Sequence, residues 1–120
     1  MKHFFYYNNK LITKEEIATL CKQEPIKIYL DDIRAVPEGY IGVKSVNAAI
    51  ALIEQIEELG GEIAVLDLDH DLGDYAFDGG DAIKLLDYLV EYEKFYLVVF
   101  HTANPVGRAN MQRVIDRFWK

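Results

Sequence analysis

Ile63-Ala64-Val65-Leu66-Asp67-Leu68-Asp69-His70-Asp71-Leu72-Gly73-Asp74 is the stretch that decides the fold. Its first half is apolar nearly throughout, as a strand reads when a parallel sheet is covered on both faces. Its second half is rich in aspartate and leads to a glycine, the composition of a loop leaving a strand end. The same transition recurs on either side. Upstream, Ile26-Lys27-Ile28-Tyr29-Leu30 is a β-type run that stops at Asp31-Asp32. Downstream, the apolar run from Phe95 to Phe100 stops at His101-Thr102-Ala103-Asn104.

Between these runs the periodicity changes from strand to helix. A Pro37/Gly39 loop leads to a short strand, Tyr40 to Val43, and Ser45 then caps a helix. Its apolar positions Val46, Ala49, Ile50, Ile53 and Ile56 fall on one helical face, and Gly60-Gly61 ends it. A further helix is predicted from about Asp81 to Tyr92. Asn104-Pro105 has the cap and first-turn chemistry for a last one, about Val106 to Trp119. This alternation predicts an α/β fold, a small three-layer parallel sheet of about four core strands with right-handed crossovers. Ahead of it, His3 to Tyr7 reads as a strand and Asn8-Asn9 as a turn. Thr13 with Glu16 has capping-box spacing for a helix from Lys14 to Lys22, closed by Pro25. The chain is therefore read as one domain, 1–120, with a hairpin-helix appendage over 1–25 and a core over 26–120.

Composition narrows the function. A chain of 120 residues has room for one hydrophobic core. Its net charge of −7 argues against a nucleic-acid coat, which needs a basic face. No apolar run approaches a membrane span, and MKHFFYYNNK turns polar too soon for a signal peptide. With Cys21 alone there is no disulfide framework, so a cytoplasmic location is expected, and Cys21 reads as a small buried helix residue. The charge is segregated: six aspartates and no lysine or arginine lie from Asp67 to Asp81, whereas the last helix carries Arg108, Arg113, Arg117 and Lys120.

A parallel sheet brings its carboxyl strand ends to one edge, where ligands of open α/β sheets bind. Asp31, Asp32 and Asp69 converge there, with Asp71 close by. Converging carboxylates repel and lose hydration, so such a cluster must take up protons or a cation. Oxygen donors suit Mg²⁺ or Mn²⁺, which accept one or two carboxylates beside waters and a phosphoryl oxygen. Asp78 and Asp81 read as turn and cap residues, and His70 and His101 as hydrogen-bonding residues more than as ligands.

The ordered set Ile28-Tyr29-Leu30-Asp31-Asp32, Val65 to Asp69, and Val98-Val99-Phe100-His101-Thr102-Ala103 resembles three strand ends of response-regulator receiver domains. The resemblance covers about residues 26–120. It implies that Asp31 and Asp32 hold Mg²⁺, that Asp69 accepts a phosphoryl group, and that Thr102 hydrogen-bonds that group. It also implies a metal-bound carbonyl at Asp71. The chain departs from the receiver pattern in two places. Ile33 to Gly39 is too short for the helix that should follow the first strand, and no residue matches the lysine of the missing fifth strand. Arg34 and Arg108 are the candidates for the absent charge. The expected function is a receiver-like regulatory or interaction domain with an acidic divalent-metal pocket, a pseudo-receiver if Asp69 is not phosphorylated. Its partners would be a protein, a phosphodonor or a second copy as a homodimer.

The leading alternative is a small metal-dependent phosphoesterase using the Asp/His cluster. In one version Asp67 attacks and Asp69 protonates the leaving group, because Ala64 to Asp74 resembles the first motif of haloacid-dehalogenase-type phosphatases. In another, His70 or His101 serves a different metallohydrolase. An EF-hand loop fits poorly, since the glycine falls one position late at Gly73 and no glutamate closes it. A plain interaction module would work through the aromatic leader (Phe4, Phe5, Tyr6, Tyr7) and the basic last helix.

Overall fold

A computed structural model describes residues 3–119; Lys120, counted above with the basic helix, lies outside them. The leader forms β1 (Tyr6–Tyr7), β2 (Lys10–Leu11) and α1 (Lys14–Gln23). Asn8 and Asn9 take φ of +50° and +65°, the mirror-image turn that joins two-residue hairpins. The capping box is complete: Thr13 Oγ1 accepts from the Glu16 N–H, and Glu16 Oε1 accepts from the Thr13 N–H.

The core comprises β3 (Ile26–Leu30), β4 (Tyr40–Val43), α2 (Val46–Glu58), β5 (Ile63–Leu68), α3 (Ile83–Glu91), β6 (Val98–Phe100) and α4 (Pro105–Phe118). Ser45 caps α2 through the Ala48 N–H, and Asn104 caps α4 through the Gly107 N–H. The sheet order is β2-β1-β4-β3-β5-β6, with β4, β3, β5 and β6 parallel. The hairpin extends this molecule's own sheet, β1 pairing antiparallel with β4 through Tyr6↔Gly42 and Tyr7↔Ile41. The strand-helix alternation read from the sequence is the architecture observed. The last strand is shorter than its apolar run, and a 3-10 turn over Gly73–Phe77 is an element the sequence did not announce.

One face of the sheet carries the core. Ile28, Leu30, Ile41, Val43, Leu66 and Leu68 are fully or almost fully buried there, in register across β3, β4 and β5. The crossovers through α1, α2 and α3 all step the same way across the sheet. Right-handed connection therefore puts these helices on the same side, and α1, α2, α3 and α4 pack in that sequence.

Among the connections between parallel strands only β3–β4 steps the other way, so residues 31–39 pass over the second face. They are too few for a helix, and the third layer is this loop. Val36 presses so closely on the sheet that a Cβ on Gly42 would lie 3.1 Å from Val36 Cγ1. Beyond the loop the second face is open, and Leu97 and Val99 are exposed there. A continuous apolar run thus marks a strand here without two covered faces.

Candidate functional site

The β-ladder carries the pairing just past the strand ends. The Asp31 N–H donates to the Val43 carbonyl, that of Asp69 to the Leu30 carbonyl and that of His101 to the Leu68 carbonyl. This places Asp31, Asp69 and His101 side by side at the carboxyl edge. Asp31 is the anchor, its side chain 1% exposed. Its Oδ1 accepts from the N–H groups of Ile33 and Arg34, both at 2.9 Å, turning the chain sharply after β3. The turn returns the Arg34 guanidinium onto Asp31 Oδ2 at 3.0 Å and to within 3.5 Å of Asp69 Oδ2. The same nitrogen donates to the His101 carbonyl at 3.3 Å.

His101 lies between two carboxylates. Its Nδ1 is 2.6 Å from Asp67 Oδ1 and its Nε2 is 2.9 Å from Asp31 Oδ2. The ring stacks on Tyr29 with centroids 4.2 Å apart and planes 5° from parallel, which fixes its orientation on the open face. A neutral imidazole has one donor and one acceptor, so satisfying both contacts takes a second proton or a cation. Ligand atoms of Asp31, Asp69 and His101 lie within 4.8 Å of one another, a carboxylate–carboxylate–imidazole set fit for a divalent ion.

The neighbouring carboxylates feel different environments. Burial pushes the Asp31 carboxyl up, but the backbone N–H groups of Arg34 and Ile33, with His101 and the Arg34 side chain, bring it below its ordinary value. Asp32 has no such support. Burial raises it, only its own N–H opposes, and the charges of Asp31, Asp69 and Asp74 raise it further. Gly73, at φ +51°, closes over Asp32; a Cβ there would sit 2.5 Å from Asp32 Oδ2.

A cavity of about 340 Å³ opens over this edge, lined among others by Asp31, Asp32, Arg34, Asp69, Asp71 and Thr102. Thr102 Oγ1 accepts from the Asn104 N–H at 3.1 Å. Asp71 turns away from the centre, to His70 Nδ1 at 2.8 Å and Asn104 Nδ2 at 2.9 Å, and these two contacts lower its carboxyl. Of the residues named from the sequence, Asp31 and Asp69 meet at the centre, while Asp32, Asp71 and Thr102 stand on the wall. Of the two arginines, Arg34 reaches the carboxylates, while Arg108 donates to the Phe100 carbonyl at 3.3 Å. Asp67 orienting His101 is a relation the sequence reading missed. The available signal was a carboxylate inside an otherwise apolar strand, which must find a partner.

His70 is a packing residue at the rim. Its ring lies against Gly107 of α4, where a Cβ would come within 2.7 Å of His70 Nδ1. Gly107→Ala is therefore expected to destabilise the fold by about 1–3 kcal/mol through overpacking, even though alanine is the better helix former. Urea denaturation checks it, and an unchanged or raised midpoint would show that the His70 seat can yield.

A family model for the cyclic-phosphate processing receiver domain matches residues 26–117. The chain belongs to that family. No curated protein and no solved structure matches it significantly. The receiver resemblance read from three strand ends is thus borne out, and the match contains every residue of the carboxylate–histidine centre. Within this cyclic-phosphate processing receiver domain, Arg34 brings a positive charge to the pocket from the turn that follows β3. Among the described residues, no helix is long and apolar enough to cross a membrane.

Proposed function

We propose that this domain binds a cyclic phosphate in the acidic cavity and opens it by hydrolysis, with a divalent cation, Mg²⁺ or Mn²⁺, at the Asp31–Asp69–His101 group. The observation that carries the reading is His101, held by Asp67 through Nδ1 while Nε2 faces Asp31. That is the arrangement in which an imidazole ligand is oriented by an outer carboxylate. When bound, the cation neutralises charge on the phosphoryl oxygens.

The chain supplies the rest. Arg34, tied to Asp31 through one guanidinium nitrogen and half-exposed at the cavity, binds the non-bridging phosphoryl oxygens, and the Thr102 hydroxyl adds a further hydrogen bond. Asp32, a cavity carboxylate outside the ligand group, takes a proton from the attacking water and returns it to the leaving oxygen. The new bond joins water oxygen to phosphorus, one ring P–O bond breaks, and the product is a phosphomonoester carrying a free hydroxyl.

Hydrolysis and phosphotransfer separate in one experiment. The protein, with Mg²⁺ or Mn²⁺, is given 2′,3′-cyclic AMP or glycerol 1,2-cyclic phosphate, followed by ³¹P NMR, and in parallel acetyl phosphate, followed by intact mass. Catalytic conversion to monoester, without a stable adduct, is the expected result. A single phosphoryl adduct on Asp69 and no turnover would overturn hydrolysis and return the signalling-receiver reading.

A further inference from the structure

On the second face of the sheet Leu97 and Val99 stand 62% and 40% exposed, yet Tyr29 on the same face is only 7% exposed. The helices lie on the other side, so none of them covers it. Its cover comes from other side chains. Tyr40, on the neighbouring β4, meets the ring edge-on, with centroids 6.0 Å apart and planes at 77°. The Lys27 ammonium in turn lies 5.0 Å from the centroid of Tyr40. His101 lies flat on the Tyr29 ring, its plane 5° from parallel. Tyr29 is thus the floor under His101, and His101 is the lid that keeps Tyr29 from water.

His101 needs that floor. Its two polar contacts, Nδ1 with Asp67 at 2.6 Å and Nε2 with Asp31 at 2.9 Å, are made by ring nitrogens whose bonds lie in the plane of the imidazole. Such contacts resist sliding within the plane and give little resistance to motion out of it. Tyr29 blocks that motion on one side. In the opposite direction, lifting the imidazole away would expose the apolar ring face it covers and lose the stacking contact.

We propose that Tyr29 is a positioning residue of the site, its ring the platform that holds His101 in the plane where Nε2 meets the Asp31–Asp69 pair. The inference rests on the cation site proposed above. The role belongs to the ring, because the contacts with His101 and Tyr40 are ring contacts. A π-face also suits a partner that gains positive charge, as an imidazole does when it ligates a cation. A leucine fills comparable space and offers no flat surface.

Mn²⁺ affinity is measured by EPR titration for wild type, Tyr29→Phe, Tyr29→Leu and Tyr40→Leu, and the His101 ring protons are assigned by NMR in metal-free protein. Tyr29→Leu is expected to bind Mn²⁺ about 2- to 12-fold more weakly, the range of one aromatic stacking contact. Tyr29→Phe restores wild-type affinity. Tyr40→Leu, which removes a ring from the same face but not the one under His101, leaves affinity unchanged. Ring-current shielding moves the His101 protons upfield in wild type and in Tyr29→Phe. Unshielded His101 protons in wild type would overturn the platform without any need for a folded leucine variant. Wild-type affinity in Tyr29→Leu would do the same. A Tyr29→Phe as weak as Tyr29→Leu would hand the role to the hydroxyl, and equal weakening in Tyr40→Leu would reduce it to general packing; either result sinks the proposal. Shielded His101 protons in a protein that binds no Mn²⁺ would refute the cation site and leave the platform standing.

Discussion

Asp32→Asn is expected to lower kcat for glycerol 1,2-cyclic phosphate by about 10²–10⁴-fold, the usual contribution of a positioned proton carrier. Binding of Mn²⁺ should survive, because Asp31, Asp69 and His101 gather without Asp32. Asparagine keeps the shape and removes the charge at a carboxylate whose neighbours Asp31, Asp69 and Asp74 repel it. The variant should therefore be at least as stable as wild type. Loss of turnover without loss of cation binding or stability is a pattern that a purely structural Asp32 does not produce. Rapid-quench turnover beside a Mn²⁺ titration reads both. Full activity in Asp32→Asn would remove it as proton carrier, and loss of cation binding would make it a ligand.

How much of this site could be read beforehand follows from what a strand end reveals. Asp31 and Asp69 were legible because a carboxylate directly after an apolar strand lies at the carboxyl edge wherever the sheet is parallel. Thr102 was named only through the receiver resemblance, which implies a Thr or Ser near the end of its strand. The partnerships of Arg34, Asp67 and His101 were not legible. Asp67 and His101 meet only because both point to the second face, in columns set by the register Asp67↔Val99, and because Tyr29 offers a ring to stack on. Arg34 reaches back only because the loop after β3 makes a tight turn on Asp31 instead of a helix.

The fold shows the same limit. Periodicity located β3 and β5 to the residue, since apolar content and ladder coincide there. Phe95 to Leu97 read as strand but do otherwise. Phe95 packs edge-on against Trp119, with centroids 5.1 Å apart, and Trp119 Nε1 donates to the Tyr96 carbonyl at 2.7 Å. The apolar run there serves a helix end as well as a sheet. The 3-10 turn that carries Tyr75 depends on a left-handed glycine at Gly73 pressed against Asp32, a contact between distant segments with no local signature.

The Asp31 environment leads to the second large effect. Its carboxylate is buried and accepts from two backbone N–H groups and a guanidinium, with His101 Nε2 at 2.9 Å as a fourth neighbour. Asparagine at that position can keep the two backbone bonds through its oxygen. Its NH₂ group then faces the Arg34 guanidinium, donor against donor. Asp31→Asn is therefore expected to destabilise the protein at pH 7 by about 1.5–3 kcal/mol, the range for hydrogen bonds to charged groups. The affinity for Mn²⁺ should fall with it. The pH dependence has a definite sign. The folded-state pKa of Asp31 lies below the usual 3.8, so its stabilisation is complete above that value and is lost as pH falls through the lowered one. The stability gap between wild type and variant should then be widest at neutral pH and narrow steadily below about pH 4. Asp71 and Asp78, whose carboxyls are also lowered, titrate in both proteins and cancel in the difference. Urea denaturation of both at pH 7, 5 and 3 decides it. A gap that stays constant into acid would show that Asp31 acts through the shape of its turn, and a gap that widens would show that its charge opposes the fold.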